Sequence, residues 1–305
     1  MVSVGLPGLI PTLGFMFFPT TFFVGPQISF AHYAHFVHGF PSQKAKGADP
    51  LQQGWVSRTW RLTLTAAAYF ASTFVIGEYA PITLLESPWF LHLATWQRII
   101  VGPFLGRLVL HRYLGIWLFV EAPSVLYGVA FRSEGEKESW TATQNIDPYR
   151  LETATSLKAV ISAFNISTNL WSKNYIFKRL RWLGNKQLSQ LGTLFFLAIW
   201  HGFHAGYFLT FALEFFVVLA EGYYEEWFAA LHILQHPAIV LLRWVFTQWF
   251  LGFPLVGFEY KTWTKTMQLW SEQAFAPVWC LAGIILLYQL WRLFARKPTI
   301  KAKAQ

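Results

Sequence analysis

Apolar stretches long enough to cross a bilayer alternate along this chain with short segments that carry most of its charge. Leu191–Ala220 is the longest, with one acid, Glu214, and no base. It can span a hydrocarbon core of about 30 Å, as one tilted helix or as two pieces broken near Gly202 and Gly206. Pro237–Phe258 and Ala276–Phe294 read as later spans. Leu62–Ile76, with Arg58 and Arg61 at one end, reads as an earlier one, followed by Trp89–Leu110 and His111–Phe131. Trp89–Leu110 carries Arg98, Arg107 and a Gly102-Pro103 break, and His111–Phe131 contains Glu121. Val2–Val24 is apolar but interrupted by Pro7, Pro11 and Pro19. Such a segment suits a distorted or re-entrant span, tolerated only where protein buries it.

Gly25-Pro26-Gln27 predicts a turn, and Ile28–Phe40 an interfacial stretch rich in aromatics and histidine. Ser42–Gly54 and Arg132–Glu152 are polar loops, Leu157–Phe164 is mildly amphipathic, and Ile166–Gln190 is basic and aromatic. The pattern predicts roughly six spanning or re-entrant segments of about 20 residues each. The expected fold class is therefore an all-α polytopic membrane protein. With no repeat and no inter-domain linker, residues 1–305 read as one domain ending in a basic tail, 295–305.

Composition agrees. The 305 residues are 54% hydrophobic and only 13% charged, against about 25% charged in soluble domains. Sixteen Trp and twelve Tyr fit aromatic belts at the membrane surfaces. The net charge of +9 does not imply nucleic acid, because the bases lie between apolar spans and form no soluble basic domain. Positive cytosolic loops account for the excess. That rule puts the segment from Lys173 to Lys186 in the cytosol, with the tail that carries Arg296, Lys297, Lys301 and Lys303. Lysines third and fifth from the C-terminus match a dilysine retrieval signal, a receptor-read address that points to the endoplasmic reticulum. The apolar start lacks a basic n-region, its first charge being Lys44, and does not read as a signal peptide.

Candidate chemistry centres on Trp200-His201-Gly202. An ionisable side chain at membrane depth is a functional-site hypothesis by default, and imidazole can take and return a proton near neutral pH. From Thr153 to Leu213 there is no acid, but there are Lys158, Lys173, Lys178, Arg179, Arg181 and Lys186. A histidine beside a purely basic stretch suggests proton chemistry on an anionic substrate. Gly-x-Ser-x-Gly, Walker A and Gly-x-Gly-x-x-Gly are all absent. The two aspartates, Asp49 and Asp147, leave little material for a Ser-His-Asp triad.

His201 and His204 share a helical face, as do His32, His35 and His38, but no nearby acid or thiol completes a metal site. The expected metal content is none. Cys280, the single cysteine, excludes a disulfide framework. Gly202-x-x-x-Gly206 also fits a plain small-residue packing motif between spans. Asn165-Ile166-Ser167 is a formal glycosylation sequon, which the basic flank argues against using. An asparagine amide there can orient a hydroxyl or stabilise an oxyanion, but cannot act as a general base.

In order, Phe164-Asn165-Ile166-Ser167-Thr168-Asn169, Tyr175-Ile176-Phe177-Lys178-Arg179-Leu180, Leu183-Gly184-Asn185-Lys186 and Trp200-His201-Gly202-Phe203-His204-Ala205-Gly206-Tyr207 resemble the membrane-bound O-acyltransferases. Val24-Gly25-Pro26-Gln27 with His32-Tyr33 adds to the similarity. The resemblance implies a multi-helix fold around a membrane-crossing chamber, with acyl-CoA entering from the cytosol as co-substrate and a lysophospholipid from the bilayer. No permanently bound cofactor is implied. It maps the family's histidine to His201, as general base toward the free sn-2 hydroxyl of the acceptor, lysophosphatidylcholine foremost. The asparagine maps to Asn165, which orients groups or stabilises developing charge. Trp200, His204, Tyr207 and Gln27 are expected to line the chamber. Lys178, Arg179 and Lys186 are candidates for the CoA phosphates on charge alone. The resemblance also implies several further spans ahead of this start, making the chain the C-terminal part of the family domain. Other acceptors (lysophosphatidylinositol, diacylglycerol, a protein serine), a transporter lined by His201 and Glu121, and an inactive relative are the alternatives. Oligomeric state is left open.

Overall fold

The computed structural model describes residues 7–25, 27–39, 54–134 and 137–295. The dilysine tail and most of the Ser42–Gly54 loop lie outside the described residues. Helices follow in the order α1 (Leu9–Met16), α2 (Pro19–Phe22), α3 (Phe30–His38), α4 (Trp55–Tyr79), α5 (Pro88–His92), α6 (Thr95–Leu108) and α7 (Leu110–Leu126). A short hairpin, β1 (Arg132–Glu134) and β2 (Lys137–Ser139), precedes α8 (Pro148–Glu152), α9 (Leu157–Ala163) and α10 (Ile166–Ser172). Then come α11 (Lys186–His201), α12 (Ala205–Ala230), α13 (Pro237–Tyr260), α14 (Trp263–Glu272) and α15 (Ala276–Ala295). Among the described residues the fold is helical apart from that hairpin and an isolated bridge between Ile146 and Phe164.

Among the described residues four helical stretches are long and apolar enough to cross a membrane, Thr95–Leu126, Ala205–Ala230, Pro237–Tyr260 and Ala276–Phe294; α4, which contains the expected Leu62–Ile76 span, is not one of them, and the two segments expected at Trp89–Leu110 and His111–Phe131 fall in a single stretch. Of the two forms expected for the apolar window Leu191–Ala220 the structure has the broken one, two helices, because Gly202 takes φ +126° and ends α11 at His201. The apolar start forms two short helices, since Pro19 opens a new helix after α1 has stopped. The segment after Thr262 forms the amphipathic helix α14.

The chain forms two compact units, interleaved in sequence. The first comprises Met1–Pro81, Val109–Glu152 and Val160–Ile176. Its centre is the packing of α4 on α7, where Ala66, Leu114 and Leu118 are buried and Gly115 admits the Phe70 ring. Glu121, fully buried on α7, is paired with Arg58 at 2.7 Å. A buried carboxylate without such a partner would cost several kcal/mol. Val125, Ala130, Phe131 and Trp140 form a smaller core against Phe36, Trp55 and Leu62.

The second unit comprises Ile82–Leu108, Thr153–Ala159 and Phe177–Gln305. Here α6 and α13 meet backbone to backbone at Gly106 and Gly252, and the Trp249 indole N–H donates to the Ile99 carbonyl at 2.8 Å. Trp270 of α14 stacks on Phe253 with centroids 4.7 Å apart and donates to its carbonyl. Lys265 pairs with Glu86 at 2.6 Å, and that ammonium holds the Glu86 carboxyl below its ordinary range. Close helix approach through small residues is how apolar helices gain contact when lipid offers no hydrophobic contrast.

A methyl at position 252 would overlap the Pro103 carbonyl, a backbone atom that cannot swing aside. Gly252→Ala is therefore expected to cost about 1–3 kcal/mol and lower the thermal unfolding midpoint in detergent. Gly222→Ala, where a methyl meets nothing within 4 Å, should leave the midpoint unchanged or raise it slightly. Equal midpoints for both variants would refute the α6–α13 contact.

Candidate active site

His201 is the last residue of α11, a helix capped at its start by Asn185, whose Oδ1 accepts from the N–H groups of Gln187 and Leu188. At the other end Gly202 adopts a positive φ that a side chain would oppose, and its N–H donates to the Ile199 carbonyl at 3.0 Å. The chain re-enters a helix at once. His204 is the N-cap of α12, and the Gly206 N–H donates to the Lys261 carbonyl at 2.7 Å. Gly206 meets Gly257 with no room for a methyl, and Thr210 Oγ1 donates to the Pro254 carbonyl at 2.8 Å. These contacts fix the His201–Gly206 turn on α13.

The imidazole of His201 sits among Tyr207, Phe211 and Phe258, at centroid distances of 5.6, 5.5 and 5.1 Å, with Trp200 at 5.5 Å. Among the described residues its ring nitrogens have no hydrogen-bond partner. The arrangement is an aromatic frame around a ring with free proton-transfer capacity. Of the other chamber candidates, Tyr207 is buried in this frame and also touches His204, whereas Trp200 and His204 are exposed. Among the described residues no three His, Cys, Asp or Glu side chains gather as a metal set.

Asn165 belongs to the first unit. It stands between α9 and α10 with φ +53°, ψ +46°, a left-handed conformation that asparagine tolerates better than most residues. Two other asparagines hold it there. Asn145, which sequence reasoning missed, accepts the Ile166 N–H on its carbonyl and the Ser167 N–H on its Oδ1, at 2.9 and 3.1 Å. Asn169 donates its amide to the carbonyls of Ile161 and Phe164. The Asn165 amide itself makes no hydrogen bond among the described residues. No local signal marks Asn145, because its partner lies twenty-two positions along the chain.

The basic run does not form a single cluster. Lys178 and Arg179 are exposed where a 3₁₀ turn, Arg179–Leu183, begins. Lys186 instead lines a cleft of about 470 Å³ with Arg181, Asn185 and Ser189, on the second unit. Gln27 lies in a cleft of the first unit, of about 490 Å³, with His32, His35, Arg132 and Ser167. His32 Nε2 lies 2.6 Å from the Val129 carbonyl. Burial holds the His32 imidazole below its ordinary pKa, Arg132 and His35 push the same way, and the Val129 carbonyl opposes them. Glu121 is engaged by Arg58 through Oε1, while its Oε2 is buried without a hydrogen-bond partner among the described residues.

The sequence model of the membrane-bound O-acyltransferase family matches residues 2–261. Lysophospholipid acyltransferase 5 of Homo sapiens is 32% identical over 283 residues, 88% of this chain and 56% of that protein. The Mus musculus protein of that name is 31% identical, covering 98% of this chain and 63% of its own length. The Drosophila melanogaster one is 30% identical over 93% of this chain and 53% of its own. The chain thus spans between 53% and 63% of these relatives.

Asn145→Ala removes the acceptor for a part-buried N–H and is expected to lower stability by about 0.5–1.5 kcal/mol. Asn145→Asp keeps an acceptor and should fall between the two. Thermal unfolding monitored by circular dichroism measures both. An alanine variant as stable as the parent would show that Asn145 does not hold the Asn165 turn.

Proposed function

The chain belongs to the membrane-bound O-acyltransferase family, and on that premise we propose that it transfers a fatty acyl chain from acyl-CoA to the free sn-2 hydroxyl of a lysophospholipid. Lysophosphatidylcholine is the foremost acceptor, followed by its ethanolamine and serine counterparts. Relatives named lysophospholipid acyltransferase support the acceptor class. The observation that carries the reading is the His201 ring, framed by aromatics with its nitrogens unengaged.

In this reading neutral His201 accepts the proton of the lysolipid hydroxyl as its oxygen attacks the thioester carbonyl. The tetrahedral intermediate collapses with cleavage of the C–S bond, and the imidazolium returns the proton to the departing thiolate. Such general-base catalysis contributes roughly 10²–10⁴-fold. The Asn165 amide, held by its backbone but not by its side chain, serves as a donor to developing negative charge. Lys178, Arg179 and Lys186 serve the CoA phosphates, joined by Arg181. Charged donors of this kind suit phosphate, Arg in bidentate fashion. Helix α11 is 16 residues long, which separates Lys186 from His201 by about 22 Å. A separation of that order suits CoA, whose pantetheine arm keeps the phosphates remote from the thioester. The protein is a multi-pass membrane protein, and we assign it to the endoplasmic reticulum with its C-terminus in the cytosol.

His201→Ala is expected to reduce acyl transfer by at least about 10²-fold while leaving helicity in detergent unchanged. His204→Ala should have a milder effect. A well-folded His201→Ala protein with near-normal turnover would refute the assignment. Neutralising Lys186 or Arg181 is expected to raise the KM for acyl-CoA several-fold and leave that for lysolipid alone, with smaller effects at Lys178 and Arg179. A KM for acyl-CoA unchanged in all four variants would reduce the run to a topology signal.

A further inference from the structure

We propose that Tyr207 is a further catalytic residue, whose phenolic hydroxyl donates to the thioester carbonyl oxygen as that oxygen takes up negative charge beside His201, an assignment that rests on the acyl-transfer reading. Tyr207 is only 8% exposed, yet its hydroxyl has no hydrogen-bond partner among the described residues. A buried donor without an acceptor costs free energy, so a ring that served packing alone would be better as phenylalanine. The rest of the frame is built that way, at Phe211 and Phe258. Of the other buried tyrosines of this unit, Tyr288 donates its hydroxyl to Glu226. Tyr224, whose hydroxyl also lacks a partner, stands about 25 Å further along α12, with the Arg243 guanidinium over its ring. Tyr207 alone of the three lies beside the proposed base.

Several contacts place that hydroxyl. The Tyr207 ring is 5.6 Å from the His201 ring, 5.6 Å from His204 edge to face, and 4.7 Å from Phe258. A methyl on Gly202 would stand 3.6 Å from Cε2 of Tyr207, the atom next to the one that bears the hydroxyl. The polar end of the phenol therefore lies against the corner between His201 and Gly202. Tyr207 also belongs to the first turn of α12, a 26-residue helix whose positive end favours negative charge. The bond from Gly206 to the Lys261 carbonyl and the one from Thr210 to the Pro254 carbonyl hold that turn in place. A donor fixed before the substrate arrives needs no reorganisation during the reaction, which is what makes it effective.

The lysolipid oxygen bonds to the thioester carbon while its proton passes to the His201 imidazole, and the carbonyl π pair moves onto the carbonyl oxygen. The Tyr207 proton stays on the phenol and is shared with that oxygen through the hydrogen bond. When the C–S bond breaks, the pair returns to the carbonyl and the imidazolium proton goes to the thiolate. The bond from Tyr207 is thus strongest where the charge is greatest, and it speeds the reaction without tightening the ground state. A carbonyl oxygen accepts two hydrogen bonds, so the assignment of the Asn165 amide is unaffected.

The test is a change of one heavy atom. Tyr207→Phe in the purified chain, assayed with acyl-CoA and lysophosphatidylcholine, is expected to lower kcat by about 10²–10³-fold, the usual loss when one oxyanion donor is removed. The KM for each substrate should stay at the parental value. The thermal unfolding midpoint in detergent should equal or exceed that of the parent, because only an unpartnered hydroxyl is lost. Incorporating 3-fluorotyrosine at the same position restores the donor and should recover most of the lost kcat. A Tyr207→Phe chain with parental kcat overturns the proposal and leaves the acyl-transfer reading standing. A rise in the KM for lysolipid that matches the fall in kcat also overturns it, since the hydroxyl would then serve binding. So does a lowered unfolding midpoint without recovery by 3-fluorotyrosine, which would mark a packing role. A parent chain that acylates no lysolipid refutes the acyl-transfer reading itself, and the proposal falls with it.

Discussion

The Gly206 N–H donating to the Lys261 carbonyl at 2.7 Å ties the start of α12 to the end of α13, and the geometry around His201 follows from it. The tie requires that Gly206 and Gly257 meet without side chains, and Thr210 reinforces it through the Pro254 carbonyl. With α12 fixed there, Tyr207 and Phe211 on α12 and Phe258 on α13 form the frame in which the imidazole lies. Gly202 has a different task, since its positive φ lets α11 stop at His201 and the chain turn into α12. The two glycines of Gly202-x-x-x-Gly206 thus combine a turn and a packing contact, where a packing motif would use both for close approach.

The first unit follows similar logic with different groups. Asn165 occupies a left-handed conformation that its neighbours enforce: Asn145 receives the two N–H groups after it, and Asn169 binds carbonyls before it. Backbone held off the common conformations persists only when its surroundings over-determine it, and such residues gather at functional sites. In both places the main chain is pinned by other residues while the side chain is left unengaged. That is the supporting shell that a precise site requires.

Much of the fold was legible because hydrophobic length is a strong signal. Pro237–Phe258 and Ala276–Phe294 correspond closely to α13 and α15. The candidate site could be read from the sequence only where a motif is local, as at His201 and Asn165. What escaped depended on contacts remote in sequence. Asn145 gains its importance only when the chain returns to it at Ile166 and Ser167. Helix α14 was missed because its apolar face is short, carried by Leu269, Trp270 and the small Thr266, and becomes recognisable only through the stack on Phe253. The grouping of Lys186 with Arg181, away from Lys178 and Arg179, depends on where a 3₁₀ turn hands over to α11. Charge counting along a run carries no information about that handover.

The central claim is that His201 acts as a neutral base in acyl transfer. The pH dependence of kcat/KM tests it most directly, measured on the purified chain with acyl-CoA and lysophosphatidylcholine. A base must be deprotonated in the free enzyme, so the rate is expected to rise with slope one on the acid side and to level off towards neutral pH, burial holding the His201 imidazole below its ordinary value. A rate that falls steadily as pH rises from 5 to 8 would contradict the account.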